Sequence, residues 1–228
     1  MITVCSVTVN EIEEYLPIFE ESITTRTKLV SQVLIAKPDA PSDYEETWEN
    51  NGIKFQKFGT QFLNYRCQQG EEHGIGLHEC IERSENEYIM TCDPDIFFFK
   101  PVDELYYNLL EKYNLHVIGI SHSSAAKFCF TYFPNVMNLM LKKSNLPGKD
   151  FLKDQIYSEG KIKLDGRWLI RTRIEETVKD FPNPKGEFDT GCYLCYFAKQ
   201  NNWRWISFQT MDIHTYCPLY NRGTVKLK

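Results

Sequence analysis

The chain has 228 residues, a formal net charge of −5 and a pI near 5.6. Apolar residues make up 42% and charged residues 25%, a balance that supports a sizeable core and excludes a disordered or low-complexity protein. No basic block is present to grip a nucleic-acid backbone, and no apolar run reaches the ~18–20 residues of a membrane span.

The first residues, Met1-Ile2-Thr3-Val4-Cys5, lack the basic region, apolar core and cleavage site of a signal peptide. The eight cysteines are scattered, and Cys192 and Cys195 form a CxxC with no second pair at zinc spacing. They are expected one helical turn apart and packed, in a reducing, cytoplasmic setting.

Residues 2–9 read as a buried strand, followed by a helix on Ile12, Tyr15, Leu16, Phe19 and Ile23, with Asn10 as N-cap. Gln32 to Ala36 is a second strand, closed by the turn-rich Lys37-Pro38-Asp39-Ala40-Pro41-Ser42. Ile53 to Phe58 is a third, short strand. Residues 74–84 are helical, with Leu77, Cys80, Ile81 and Ser84 on one face and His78 and Glu79 on the surface. Tyr88 to Cys92 is a buried strand running straight into Asp93. Pro101 opens a helix carrying Leu105, Leu109, Leu110 and Tyr113, and Leu115 to Ile120 is a further strand.

Phe133 to Lys143 is compatible with strand or helix, and residues 144–187 are polar and without period. Gly191 to Asn201 reads as a helix, Trp203 to Phe208 as a strand, and Met211 to His214 as a short strand before an irregular tail. The β-α-β series of the first half predicts an α/β domain with a mostly parallel central sheet flanked by helices. No repeat or linker marks a second domain.

The chemistry concentrates in Asp93-Pro94-Asp95. Two carboxylates after a central strand, separated by a proline that stiffens the turn, make a hard-oxygen site for Mg²⁺ or Mn²⁺. In open α/β sheets ligands gather at the carboxyl ends of the strands. Acidic residues there also serve as plain turn or helix caps. The setting separates the two readings: an apolar strand before the pair, and Ile96-Phe97-Phe98-Phe99 after it.

Glu87-Tyr88-Ile89-Met90-Thr91-Cys92-Asp93-Pro94-Asp95-Ile96-Phe97 resembles the DxD region of GT-A glycosyltransferases, which use nucleotide-diphospho-sugars. His73 to Cys80 resembles the helix before that strand in the same fold. The specific pattern covers residues 73–102. The resemblance implies one domain over 1–228, with 1–120 as the nucleotide-sugar half and 121–228 as the acceptor-side half and tail. It implies a hexosyltransferase-type enzyme using Mn²⁺ or Mg²⁺, a UDP- or GDP-sugar donor, and a glycan or other hydroxyl acceptor.

The same resemblance assigns Asp95 to direct metal coordination, and Asp93 to the donor ribose or a metal-bound water. His214, ending a late strand, is implied as a further metal ligand; a neutral imidazole suits Mn²⁺. Asp189 reads as an N-cap, and by the resemblance as the general base that takes the acceptor's proton. Phe188 stands where family members commonly carry a first acid beside it. Thr8 and Asn10 are implied at the nucleotide, and Lys37 and Asp39 can reach base or ribose. His73 and Gly74 are placed near the donor, and Tyr216 and Arg222 in a tail over the diphosphate. Trp168, Trp203 and Trp205 are candidates for stacking on an acceptor sugar, with core packing the simpler role.

Three other readings compete with this one. A sugar-phosphate nucleotidyltransferase needs a Gly-rich loop after the first strand, and Ser6-Val7-Thr8-Val9-Asn10-Glu11 has no glycine. A phosphatase of the haloacid-dehalogenase type wants Thr or Val at the position of Phe97. A degenerate transferase that binds a nucleotide-sugar without turnover shares the fold and stays open.

Overall fold

In a computed structural model, described over residues 1–8, 10–60, 69–121, 133–134, 137–146, 192–209 and 216, the first strand sets the frame. β1 (Ile2–Val7) is buried at every position. A strand apolar on both faces calls for cover on both faces, as in parallel sheets. The remaining strands are β2 (Val30–Lys37), β3 (Glu45–Asn50), β4 (Ile53–Gly59), β5 (Tyr88–Cys92), β6 (Val117–Ser121), β7 (Asn138–Lys142) and β8 (Trp205–Gln209). They form one sheet in the order β3-β4-β2-β1-β5-β7-β6-β8. β1, β2, β4, β5, β6 and β8 run one way, and β3 and β7 run against them. The expected mostly parallel α/β sheet is what the chain forms.

Alternation along the strands sends side chains to two cores. On one face α1 (Leu16–Arg26) and α3 (Val102–Lys112) pack on Ile2, Val4, Val33, Ile35 and Met90. Phe19 and Ile23 of α1 are fully buried there, each burial worth about 1.5–3 kcal/mol. On the other face α2 (Gln69–Arg83) and α4 (Cys192–Gln200) set Leu77, Cys80, Leu194 and Ala198 against Cys5, Val7, Leu34 and Ala36. Cys192 and Cys195 do share α4, and Cys195 is buried.

A polar clamp closes the amino-terminal edge of the sheet. The Thr3 hydroxyl donates to Gln32 Oε1 at 2.8 Å and accepts from Ser84 at 2.7 Å and from Asn86 at 3.0 Å. Nearby, Asp103 is wholly buried at the start of α3, and its Oδ2 accepts the backbone N–H groups of Lys28 at 2.8 Å and Leu29 at 2.6 Å.

Several local expectations are corrected. Asn10 does not cap an α-helix; it opens a 3₁₀ segment, Asn10–Tyr15, and α1 begins at Leu16. Pro17 explains the shift, because a proline fits only the first turn of a helix. In α3 the buried face is Val102, Asp103, Tyr106 and Leu110, while Leu105 and Leu109 are partly buried and Tyr113 is exposed. Tyr106 turns inward because its hydroxyl finds Asn138 Oδ1 at 2.8 Å. The segment around Phe133 to Lys143 supplies the strand β7.

β3 has no counterpart in the sequence reading. It pairs with β4 through a tight hairpin in which Asn51 (φ 52°) and Gly52 (φ 75°) both take left-handed backbone, the signature of a type I′ turn.

Candidate functional site

β1 and β5 are parallel neighbours, yet their onward connections diverge. The chain leaves β1 through α1 to β2 on one side, and leaves β5 through α3 to β6 on the other. A crevice opens outside the carboxyl ends of two strands at such a point, where ligands bind in open α/β sheets. Thr8 follows β1 here, its N–H donating to Ala36 O at 2.9 Å, and Asp93 follows β5.

The carboxylate pair is held by its own turn. Ile96 N–H donates to Asp93 O at 3.0 Å, closing a β-turn with Pro94 at its second position, where the fixed φ of proline fits. Asp93 N–H donates to Met137 O at 2.9 Å, which ties the turn to the chain entering β7. Pro94 is buried, while Asp93 and Asp95 are half-buried. Downstream, Ile96, Phe97 and Phe98 are buried, with Phe97 6.3 Å from the Tyr15 ring and Phe98 6.4 Å from that of Phe19. The apolar residues after the pair thus anchor the turn on the 3₁₀ segment and α1.

Tyr216 docks on the same stretch. Its carbonyl accepts the N–H groups of Phe99 at 2.6 Å and Lys100 at 3.3 Å, and Lys100 Nζ lies 5.4 Å from its ring. Of the proposed tail, Tyr216 is therefore placed beside the segment that follows Asp95. Asp189, His214 and Arg222 lie outside the described residues.

On the other face, α2 comes down directly onto β1 and β2. A Cβ on Gly76 would stand 2.8 Å from Val7 Cγ2 and 3.0 Å from Ala36 Cβ, so only glycine permits the approach. His73 lies one turn earlier on the same helix face. Its Nε2 is 3.3 Å from Asp93 Oδ1. His73, placed near the donor by sequence, is a direct neighbour of the first carboxylate. His78 is buried, 3.7 Å from Glu82 Oε1, and not on the surface as its helix position implied. Trp203 is buried and stacks on His116 at 5.5 Å, and Trp205 lies edge-on to Phe133, so both serve packing.

Sequence spacing alone missed a charged cluster at the carboxyl edge of β2 and β4. Glu13 bonds Lys37 through one oxygen and Lys57 through the other, and Lys57 Nζ lies 5.9 Å from the Tyr44 ring. Lys37 is thus engaged with Glu13. The hydrogen bonds from Lys37 and then Lys57 hold the Glu13 carboxyl below its ordinary pKa. For Lys57 burial pushes the pKa down, but the hydrogen bond and charge of Glu13 outweigh it and the net direction is up.

The donor chemistry near the turn fits a divalent cation in part. Among the described residues no three His, Cys, Asp or Glu side chains converge on one point. A cation that keeps water and substrate phosphate in its shell needs only one or two carboxylates from the protein. Among the same residues the buried hydroxyls of Ser6, Thr8, Thr60 and Thr91 have no hydrogen-bond partner. All four sit at or next to the carboxyl ends of β1, β4 and β5. Buried polar atoms are rarely left so, and a polar ligand at that edge would satisfy them.

No protein-family model matches the chain, and neither does any curated protein. Among solved structures it is similar to S. aureus TarS 1-349, at 11% identity and a TM-score of 0.45, over 73% of this chain and 53% of that one. The same protein in complex with UDP matches at 13% identity and TM-score 0.39, over 53% of this chain and 36% of that one. In complex with UDP-GlcNAc it matches at 12% identity and TM-score 0.39, over 53% and 34%. The chain spans about half of these relatives' length or less, and a likeness this partial sets no function. Among the described residues no helix is long and apolar enough to cross a membrane.

Proposed function

We propose that this chain transfers a sugar from a nucleotide-diphospho-sugar, such as a UDP- or GDP-sugar, to a hydroxyl acceptor, using Mn²⁺ or Mg²⁺. The observation that carries this reading is the position of the Asp93-Pro94-Asp95 turn, rigidly closed and outside the carboxyl ends of β1 and β5 where their connections diverge. The cation would neutralise the diphosphate as its bond to the sugar breaks. Asp95 holds it directly, and Asp93 serves the same site, on the metal itself or through the ribose or a metal-bound water. Thr8 and Asn10, on the chain leaving β1, face the nucleotide; the buried, unpartnered Thr8 hydroxyl supports this. His214 is proposed as a further ligand, two positions before the docked Tyr216. Asp189 is proposed as the base that accepts the acceptor's proton while its oxygen attacks the sugar. A reducing, cytoplasmic setting fits the buried free thiols of Cys5, Cys80, Cys92 and Cys195.

The test is Mn²⁺-dependent binding of UDP and GDP, together with nucleotide release from a panel of UDP- and GDP-sugars. Binding that requires Mn²⁺ and drops at least ~10-fold in Asp95→Ala is the expected result. Absence of both binding and turnover across the panel would overturn the reading. Binding that survives Asp95→Ala unchanged removes the metal from this turn, and binding without turnover selects the non-enzymatic alternative.

A further inference from the structure

We infer that His73 is a nitrogen ligand of the divalent cation at the Asp93-Pro94-Asp95 turn, an inference that rests on the metal site proposed above. Nothing in the spacing of the carboxylates calls for a ligand from the preceding helix; the geometry does.

The first ground is the distance. Two donor atoms each ~2.1 Å from one ion stand ~3.0 Å apart when they occupy adjacent octahedral positions. His73 Nε2 and Asp93 Oδ1 are 3.3 Å apart. An N–H···O hydrogen bond lies close to the same value, at ~2.7–3.2 Å. The spacing suits two ligands of one ion as well as a direct ion pair, and the nitrogen coupling measured below separates the two.

The second ground is what sets that spacing. His73 does not reach the turn by side-chain flexibility alone. Its helix is pressed onto β1 and β2 at Gly76, where a Cβ would meet Val7 Cγ2 at 2.8 Å. Asp93 is fixed from the other direction, by Met137 O and by its own turn. Two rigid elements thus deliver one nitrogen and one oxygen to the same point, the arrangement a precise site requires. Both side chains stay about a third exposed, 28% for His73 and 33% for Asp93, which leaves room for water and phosphate in the remaining positions.

Ligand chemistry gives a histidine at this turn a consequence. Mg²⁺ prefers an all-oxygen shell, and imidazole shifts preference towards transition metals. With His73 in the shell the site selects Mn²⁺ over Mg²⁺.

The experiment titrates Mn²⁺ into the full chain with UDP. Free Mn²⁺ is followed by electron paramagnetic resonance, and nitrogen coupling on the bound ion by its pulsed form. His214→Ala is the background, so that any nitrogen seen is not from that residue. Nitrogen coupling is expected in His214→Ala and is lost when His73→Gln is added. Mn²⁺ affinity should fall by at least ~10-fold on that addition, the loss that even an outer-shell partner of a metal ligand carries, and Mg²⁺ affinity, read by competition, should fall less. Glutamine still offers Asp93 a hydrogen-bond donor, so a histidine that only positions Asp93 would keep its Mn²⁺ affinity in the variant; that result overturns the inference. So does nitrogen coupling that is absent from His214→Ala or persists without His73. If the wild-type chain binds no Mn²⁺, the metal-site reading falls together with it.

Discussion

Replacing Gly76 with alanine adds one methyl group where α2 meets the sheet. That methyl would lie 2.8 Å from Val7 Cγ2, 3.1 Å from Val7 Cγ1 and 3.0 Å from Ala36 Cβ. Both methyls of Val7 are close, so rotating the side chain trades one clash for another, and Ala36 has nothing to rotate. The helix must lift. Overpacking of this kind costs about 1–3 kcal/mol, and the better helix propensity of alanine returns ~1 kcal/mol. The net expectation is a loss of up to ~2 kcal/mol, or a fall in Tm of up to ~8 °C for a chain of this size. Urea unfolding measures it, with Val7→Ala as the second leg of a double-mutant cycle. Val7→Ala alone should cost about 2 kcal/mol for its lost methyls and the cavity. Together the two should cost less than their sum by ~1 kcal/mol, because the new methyl fills the space that Val7 vacates. A Gly76→Ala chain more stable than wild type, with additive behaviour in the double variant, would refute the claim that α2 is pressed on β1.

The remaining predictions probe the supports of the site. Glu13, with its pKa held below the ordinary 4.5 by Lys37 and Lys57, stabilises the fold above that pH, and the contribution disappears as pH falls through the lowered value. Glu13→Gln should therefore have a lower Tm than wild type at pH 7, with the two curves converging below pH 4.5; parallel curves across the range would contradict it. Asp103→Ala strips the acceptor from two backbone N–H groups and should cost about 3 kcal/mol in urea unfolding, since hydrogen bonds to a charged acceptor are worth ~1.5–3 kcal/mol each. Gly52→Ala meets no atom within 4 Å, so its whole effect is the positive φ, about 1 kcal/mol by the same assay; a neutral outcome would mean that the hairpin turn is not type I′.

What could be read from the sequence was what is written in neighbouring residues. Asp93-Pro94-Asp95 was legible because its turn closes over four consecutive residues and its anchor, Ile96 to Phe98, follows at once. The Glu13 cluster was not, because Lys37 is 24 positions away and Lys57 is 44; only the sheet brings them together. β3 escaped because Glu45, Glu46 and Glu49 are solvated, as suits an edge strand, and such strands carry no apolar alternation. The Asn51-Gly52 pair after it was the available signal. β7 was ambiguous because five largely apolar residues are too few to show a period. Its slot between β5 and β6 is settled by tertiary pairing. His78 was placed outward by the stripe of Leu77, Cys80 and Ile81, but α2 buries a wider arc than that stripe. The resemblance of its helix placed His73 near the donor, but its partner was not legible: the carboxylate 3.3 Å away follows it by 20 positions.

The bond from Asp93 N–H to Met137 O also couples the carboxylate turn to a part of the chain that is made later. β5 gains its second neighbour from β7, not from the nearer β6, and β7 lies beyond both α3 and β6 in the chain. During synthesis from the amino terminus, β1, β2, β4 and β5 can pair as soon as they emerge. The far side of β5 then remains an open edge until residues 137–142 have left the ribosome. The carboxylate turn is made early and held late: a nascent chain ending before Met137 carries both aspartates yet lacks the contact that orients the first of them.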